Sequence, residues 1–285
     1  MSKKINLVQG MSSLNQLQHD INHLAYTTFK TQCAGYSQPY LERFSIPLIP
    51  RITQEYFKHR LVIMGQETQT WYGKDWYKDK GKNNPLYKHF NLYDFVNARE
   101  EEIENICQVC RYDEFTLYGG AQKRKGFWFF NRKICKEVLN DPIQLNKGLP
   151  FCWLDLFCTE TYEYDKGQPS QKKSLADAIV NMQSDLLYQI LVLIKPKVIL
   201  ATTNHKNDSY LKNNALGDPN ASNTAIDKTG RFSISDIASI DIGQGGLKGT
   251  KVIRTHHPNG LHGIMDGETQ KDYKELIIDS LKQCY

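Results

Sequence analysis

Leu61–Val62–Ile63–Met64 is a short unbroken apolar run with two β-branched members, and it stops at a glycine. A run of this kind is the pattern of a strand covered on both faces, as in a parallel sheet. Gly65 permits a tight exit, and the polar residues Gln66, Glu67 and Gln69 follow it. Ligands in open α/β sheets sit outside the carboxyl ends of the strands, so these three residues fall where chemistry is usually placed. An ordinary solvated loop is the plainer alternative. Three further strand-like runs, over 151–157, 197–203 and 251–255, alternate with helical patterns. That alternation predicts an α/β fold built on a mostly parallel sheet.

The last run, Lys251–Val252–Ile253–Arg254–Thr255, leads into His256–His257–Pro258–Asn259–Gly260–Leu261–His262, so polar residues again follow a strand end. Gly65–Gln66–Glu67 after a strand near the front and His257–Pro258–Asn259–Gly260–Leu261 after a strand near the back resemble the two active-site motifs of the uracil-DNA glycosylase superfamily. There, a Gly-Gln-Asp-Pro-Tyr segment and a His-Pro-Ser-Pro-Leu segment flank a flipped nucleotide. Each motif is short; the order and the strand context make the pair more specific than either alone. The resemblance implies a three-layer sandwich around a central, mostly parallel four-stranded sheet. It spans residues 55 to 285 in outline, with 1–52 as an N-terminal helix and covering loop and 53–285 as the glycosylase-like part.

The resemblance also implies roles. Glu67 takes the place of the family's catalytic Asp, one methylene longer, and His257 the place of the imidazole that donates a hydrogen bond to the base as charge gathers there. His256 is its neighbouring competitor. Gln66 and Gln69, with Asn204 opening the loop after the third strand, are expected to contact the base. Asp155, the one carboxylate in the apolar row Phe151–Phe157, stands where the family carries an Asn that reads the base. A buried aspartate is costly unless paired, so it either reads a base or accepts backbone N–H bonds. Leu261 falls at the family's wedge position; it either fills the gap left by a flipped base or anchors its own loop.

Two departures bear on the substrate. An ionised carboxylate only accepts hydrogen bonds, so Asp155 suits the exocyclic amine of cytosine better than an oxygen of uracil. Thr68–Gln69 replaces the family's Pro-Tyr, whose ring shuts out 5-substituted pyrimidines. Both features resemble the anti-phage branch of the superfamily, which excises glucosylated hydroxymethylcytosine. The expected activity is hydrolysis of a modified cytosine's N-glycosidic bond in DNA, leaving an abasic site. Alternatives are a uracil or damaged-base repair glycosylase, a non-catalytic DNA-binding relative, and a hydrolase of free nucleosides or nucleotides.

A net charge of +5 permits a nucleic-acid partner without requiring one. Trp71 and its neighbours mix aromatics with lysines, and Lys123–Arg124–Lys125 precedes Phe127–Trp128–Phe129–Phe130; with Asn259 and His262 these are the candidate DNA contacts, on single or double strands. For both mixed stretches, packing is the competing explanation. Seven cysteines without a regular framework argue for a reducing compartment, and Cys107 and Cys110 form a lone Cys-x-x-Cys that reads as buried thiols rather than a cluster site. No signal peptide, membrane span, metal or cofactor is expected, and the chain is read as a cytoplasmic monomer. An amphipathic helix is predicted over 11–30, capped near Ser12 or Ser13, with His19 and His23 on a solvated face. A helix capped near Ser174 is predicted to run to Ile194, an edge strand over 231–235, and a closing helix through Tyr273, Leu276, Ile277 and Leu281.

Overall fold

A strand forms at Leu61–Glu67 (β1) because every side chain from Leu61 to Met64 has an apolar wall to face: all four are fully buried. The structure, a computed structural model, describes residues 2–67, 91–106, 126–144, 148–159 and 173–285, and the side chains of all of these but 2–12 and Glu67. Gln69, Trp71, Lys123, Arg124 and Lys125, together with Cys107 and Cys110, lie outside the described residues. The chain divides into two compact units, one of Met1–Ile52, Glu67–Tyr112 and Phe157–Leu187, the other of Thr53–Gln66, Asp113–Leu156 and Tyr188–Tyr285. The covering segment 1–52 groups with two later stretches of chain.

The first unit is helical among its described residues. Its longest element, α1 (Ser2–Gln32), buries Ile21, Ala25 and Phe29 at i, i+4, i+8 spacing. Ser12 and Ser13 lie inside this helix and do not cap it. Gln18 fixes the chain that follows: its amide donates to the Pro50 carbonyl at 3.1 Å and accepts from the Ile52 N–H at 2.9 Å. His19 and His23 lie on a solvated helix face, near Glu104 and Glu100. A short helix α2 (Leu92–Asn97) opens with a complete Asn91–Asp94 capping box.

The second unit carries a mixed six-stranded sheet ordered β2-β1-β3-β6-β5-β4. Its strands after β1 are β2 (Cys152–Phe157), β3 (Val198–Ala201), β4 (Ser222–Ala225), β5 (Ile237–Asp241) and β6 (Lys251–Thr255). β1, β3 and β6 run parallel, pairing Ile63 with Leu200 and Leu200 with Ile253. β5 and β4 add to β6 in antiparallel sense, so the sheet has six strands where four were predicted. The predicted edge strand at 231–235 is instead a turn, because Asp227 accepts from the Phe232 N–H and Asp236 from the N–H and hydroxyl of Ser233.

Strand side chains alternate between faces, so Leu61, Ile63, Val198, Leu200 and Ile253 share one face. Two helices cover it: α3 (Gly126–Glu137), through Phe127, Trp128, Phe130 and Ile134, and α6 (Gly267–Lys282), through Tyr273, Ile277, Ile278 and Leu281. Each of the aliphatic side chains, fully buried, contributes about 1.5–3 kcal/mol. The helix predicted to reach Ile194 breaks into α4 (Lys173–Gln183) and α5 (Leu186–Ile194), because Ser184 adopts a left-handed φ of 46°. Cys33, Cys135, Cys152 and Cys158 are buried free thiols, and no helix among the described residues is long and apolar enough to cross a membrane.

Candidate functional site

Gly65 lies two residues beyond Ile63 and so continues the helix-covered face of β1. Phe151 and Trp153 pack on that same face, and period-two alternation carries Asp155 there as well. The approach is close. A Cβ added at Gly65 would lie 2.0 Å from Asp155 Oδ1 and 3.7 Å from Trp153 Nε1. Only a residue without a side chain fits against this carboxylate, which is 2% exposed. The glycine that ends the apolar run is thus a packing partner of the one acid in β2, while Gln66 beside it is partly exposed.

At the end of β3, Thr202 donates from both its backbone N–H and its hydroxyl to the Met64 carbonyl, tying that end to β1. Asn204 follows with φ 65° and ψ 148°, a region that non-glycine residues avoid. Its N–H donates to the Thr255 carbonyl and its side-chain oxygen accepts from the Lys206 N–H. The strained turn is therefore held from both sides, and the Asn204 oxygen is taken.

β6 delivers two histidines in succession. His256 is 7% exposed, with Nε2 3.0 Å from Asp236 Oδ1. Its N–H donates to the Tyr273 hydroxyl, which donates in turn to the Asp236 carbonyl at 2.6 Å. Burial alone would raise the Asp236 carboxyl, but hydrogen bonds from His256 and Ser233 outweigh it and hold the group below its ordinary value. His256, the competitor, belongs to this structural knot.

His257 turns the other way. Its ring stacks parallel on Phe127, with centroids 5.3 Å apart and an interplanar angle of 1°. Phe127 in turn meets Trp153 at 6.2 Å, which leads back to Gly65 and Asp155. Nδ1 of His257 accepts from the Asn259 N–H at 3.3 Å. Burial pushes its pKa down to about 4. At neutral pH the ring is therefore uncharged, and with Nδ1 accepting, the proton sits on Nε2 as a donor. A neutral imidazole can donate a hydrogen bond to an oxygen that gains negative charge without first losing an unfavourable charge of its own.

The 3-10 turn Pro258–Gly263 carries three of the candidate DNA contacts. Asn259, predicted to touch DNA, uses its side-chain oxygen to accept from the Phe127 N–H at 2.9 Å and so caps α3 from a segment 132 residues away. Gly126 makes room for this cap, since a Cβ there would lie 2.6 Å from the Asn259 oxygen. Leu261, read as either a wedge or an anchor of its own loop, is 1% exposed and packs in the core with α3 and α6. It anchors its loop and is not presented to a partner. His262 is exposed, with Nδ1 3.2 Å from Gln270 Nε2.

Glu67 closes β1, and its side chain is outside the described part. The structure thus gathers Gly65, Asp155 and His257 through an aromatic bridge, Phe127–Trp153, that the motifs did not point to. Trp153 was legible in principle, because it lies two residues before Asp155 in a strand and must share its face. Among the described residues no group of three or more His, Cys, Asp or Glu side chains is placed to hold a metal ion. No protein-family model matches the chain, and no curated protein matches it either.

Proposed function

We propose that the chain is a DNA glycosylase that flips a modified cytosine, such as glucosylated 5-hydroxymethylcytosine in phage DNA, and hydrolyses its N-glycosidic bond. On this reading β2-β1-β3-β6 is a glycosylase-like parallel core, flanked by helical layers, to which the β4–β5 hairpin is an addition, and the protein works as a cytoplasmic monomer. The observation that carries the reading is His257: an uncharged imidazole with its proton on Nε2, joined through Phe127 and Trp153 to the buried carboxylate packed against Gly65.

Breaking the bond leaves positive charge on the sugar and negative charge on the departing base. His257 Nε2–H donates to a base oxygen as the negative charge grows there, a contribution of preorganised electrostatics. Asp155 accepts from the exocyclic amine, which favours cytosine over uracil. Glu67 supplies the anion near C1′, orients the water and accepts its proton as the water oxygen bonds to C1′, while the base leaves with the bonding electron pair and takes up a proton from solvent. Gln66 and Asn204 line the base. Thr68–Gln69 carries no ring where the family has its shielding tyrosine, which suits a 5-substituted base.

The test is to incubate the protein with DNA carrying glucosylated hydroxymethylcytosine, uracil or unmodified cytosine and to probe each for abasic sites. Cleavage of the modified-cytosine DNA alone, lost in Glu67→Gln with DNA binding retained, supports the proposal. Release of uracil with the modified DNA untouched overturns the substrate. No abasic sites on any DNA overturns the enzyme.

A further inference from the structure

The outer face of α3 is unlike its buried one. Phe127, Trp128, Phe130, Asn131, Ile134 and Cys135 point inward, while Phe129 is 59% exposed, Lys136 is exposed, and Arg132 and Lys133 are partly exposed. These four fall at positions 129, 132, 133 and 136, the i, i+3, i+4, i+7 spacing of one helical face. Lys274 of α6 adds a further cation close by: burial first, and then repulsion from Lys133, hold its pKa below the ordinary lysine value. The only acid in α3, Glu137, stands at its far end, 4.0 Å from Lys133. At its near end α3 is capped by the turn that carries His257, and Ile264, 55% exposed, closes that turn by donating its N–H to the Leu261 carbonyl.

We propose that this face, Phe129, Arg132, Lys133, Lys136 and Lys274 with Ile264 at the adjoining turn, is where a nucleic-acid strand docks. The inference rests on the glycosylase reading and deepens it. Lysines and the arginine take phosphates; Phe129 and Ile264 lie against bases, and with Leu261 buried, Ile264 is the apolar side chain of this loop that is presented to a base stack. A twelve-residue helix is about 18 Å long, the reach of about five base steps on one strand. Two isolated apolar side chains among cations fit an evenly charged strand with flat bases. A membrane surface would need a continuous apolar stripe.

The experiment titrates wild-type protein into a labelled oligonucleotide, single- and double-stranded, at salt concentrations from about 50 to 200 mM. It is repeated with the triple variant Lys133→Ala, Lys136→Ala, Lys274→Ala and with the double variant Phe129→Ala, Ile264→Ala, each checked for an unchanged circular dichroism melt. The triple variant is expected to lose at least tenfold in affinity and to flatten the log K against log salt slope on duplex by about 2–3, near 0.9 per phosphate contact. The double variant is expected to lose about 5–100-fold with the slope unchanged. Wild type that binds tightly while both variants match it overturns the inference and leaves the glycosylase reading standing. Wild type that binds no oligonucleotide at the lowest salt overturns that reading itself. Binding to phosphatidylserine vesicles in preference to DNA, lost in the same variants, assigns the face to membranes and overturns the inference too.

Discussion

His256 and His257 leave the same strand and enter opposite environments. One is drawn toward the turn before β5, where Asp236 and Tyr273 hold both its ring and its backbone. The other faces α3, where it meets a flat aromatic surface and a backbone N–H that fixes its tautomer. On the first side Nε2 and the backbone N–H of His256 are both engaged while its buried Nδ1 has no hydrogen-bond partner, and the second leaves an Nε2–H donor. What separates the two rings is the carboxylate: His256 is fixed by Asp236, whereas His257, partly exposed, meets a ring face and a backbone N–H.

Substitution at the two histidines breaks the comparison most sharply. His257→Ala is expected to cut abasic-site formation about 100–1000-fold, the usual cost of one preorganised donor, with a small change in melting. His256→Ala should do the reverse, costing about 1–3 kcal/mol in urea unfolding by leaving Asp236 and its neighbours short of a partner. Equal activity losses in the two variants, with equal melting, would erase the distinction.

Gly65→Ala tests the other wall of the site. With a Cβ 2.0 Å from Asp155 Oδ1, either the carboxylate or the strand must move. Destabilisation of about 1–3 kcal/mol is expected from the forced repacking. The double variant Gly65→Ala, Asp155→Ala should recover part of that stability while remaining inactive, which separates a packing fault from a chemical one.

A pH series sharpens the contrast at smaller amplitude. With a folded pKa of about 4 against an ordinary 6.5, His257 binds a proton more readily in the unfolded chain throughout that interval. Its contribution to stability is therefore full above pH 6.5 and is lost as pH falls through about 4. The slope is at most about 1.4 kcal/mol per pH unit. Subtracting the profile of His257→Ala from that of wild type isolates it, and a flat difference would contradict the assignment. Asn259→Ala, which removes the distant cap of α3, is expected to cost about 1 kcal/mol, read by urea unfolding.

Leu61–Met64 and Val198–Ala201 could be read as strands because burial on both faces leaves no polar positions in them, while the runs of β2 and β6 were legible despite carrying Asp155 and Arg254. The β4–β5 hairpin escaped that reading. β4 is the polar, largely exposed Ser222–Ala225, and it forms because β5 offers it backbone partners. Asp155 and His257 were legible as candidates from strand context. What Asn259 and Leu261 do was not, since a cap given to a helix 132 residues earlier and a place in a core are decided by tertiary neighbours. Residue type alone cannot tell a wedge from an anchor.

Nitrogen-15 NMR of the histidine side chains tests the central claim most directly, that His257 and not His256 is the neutral donor of the site. The His257 ring is expected to carry its proton on Nε2 and to titrate with a pKa of about 4. A His257 ring found charged near neutral pH, or carrying its proton on Nδ1, would contradict it.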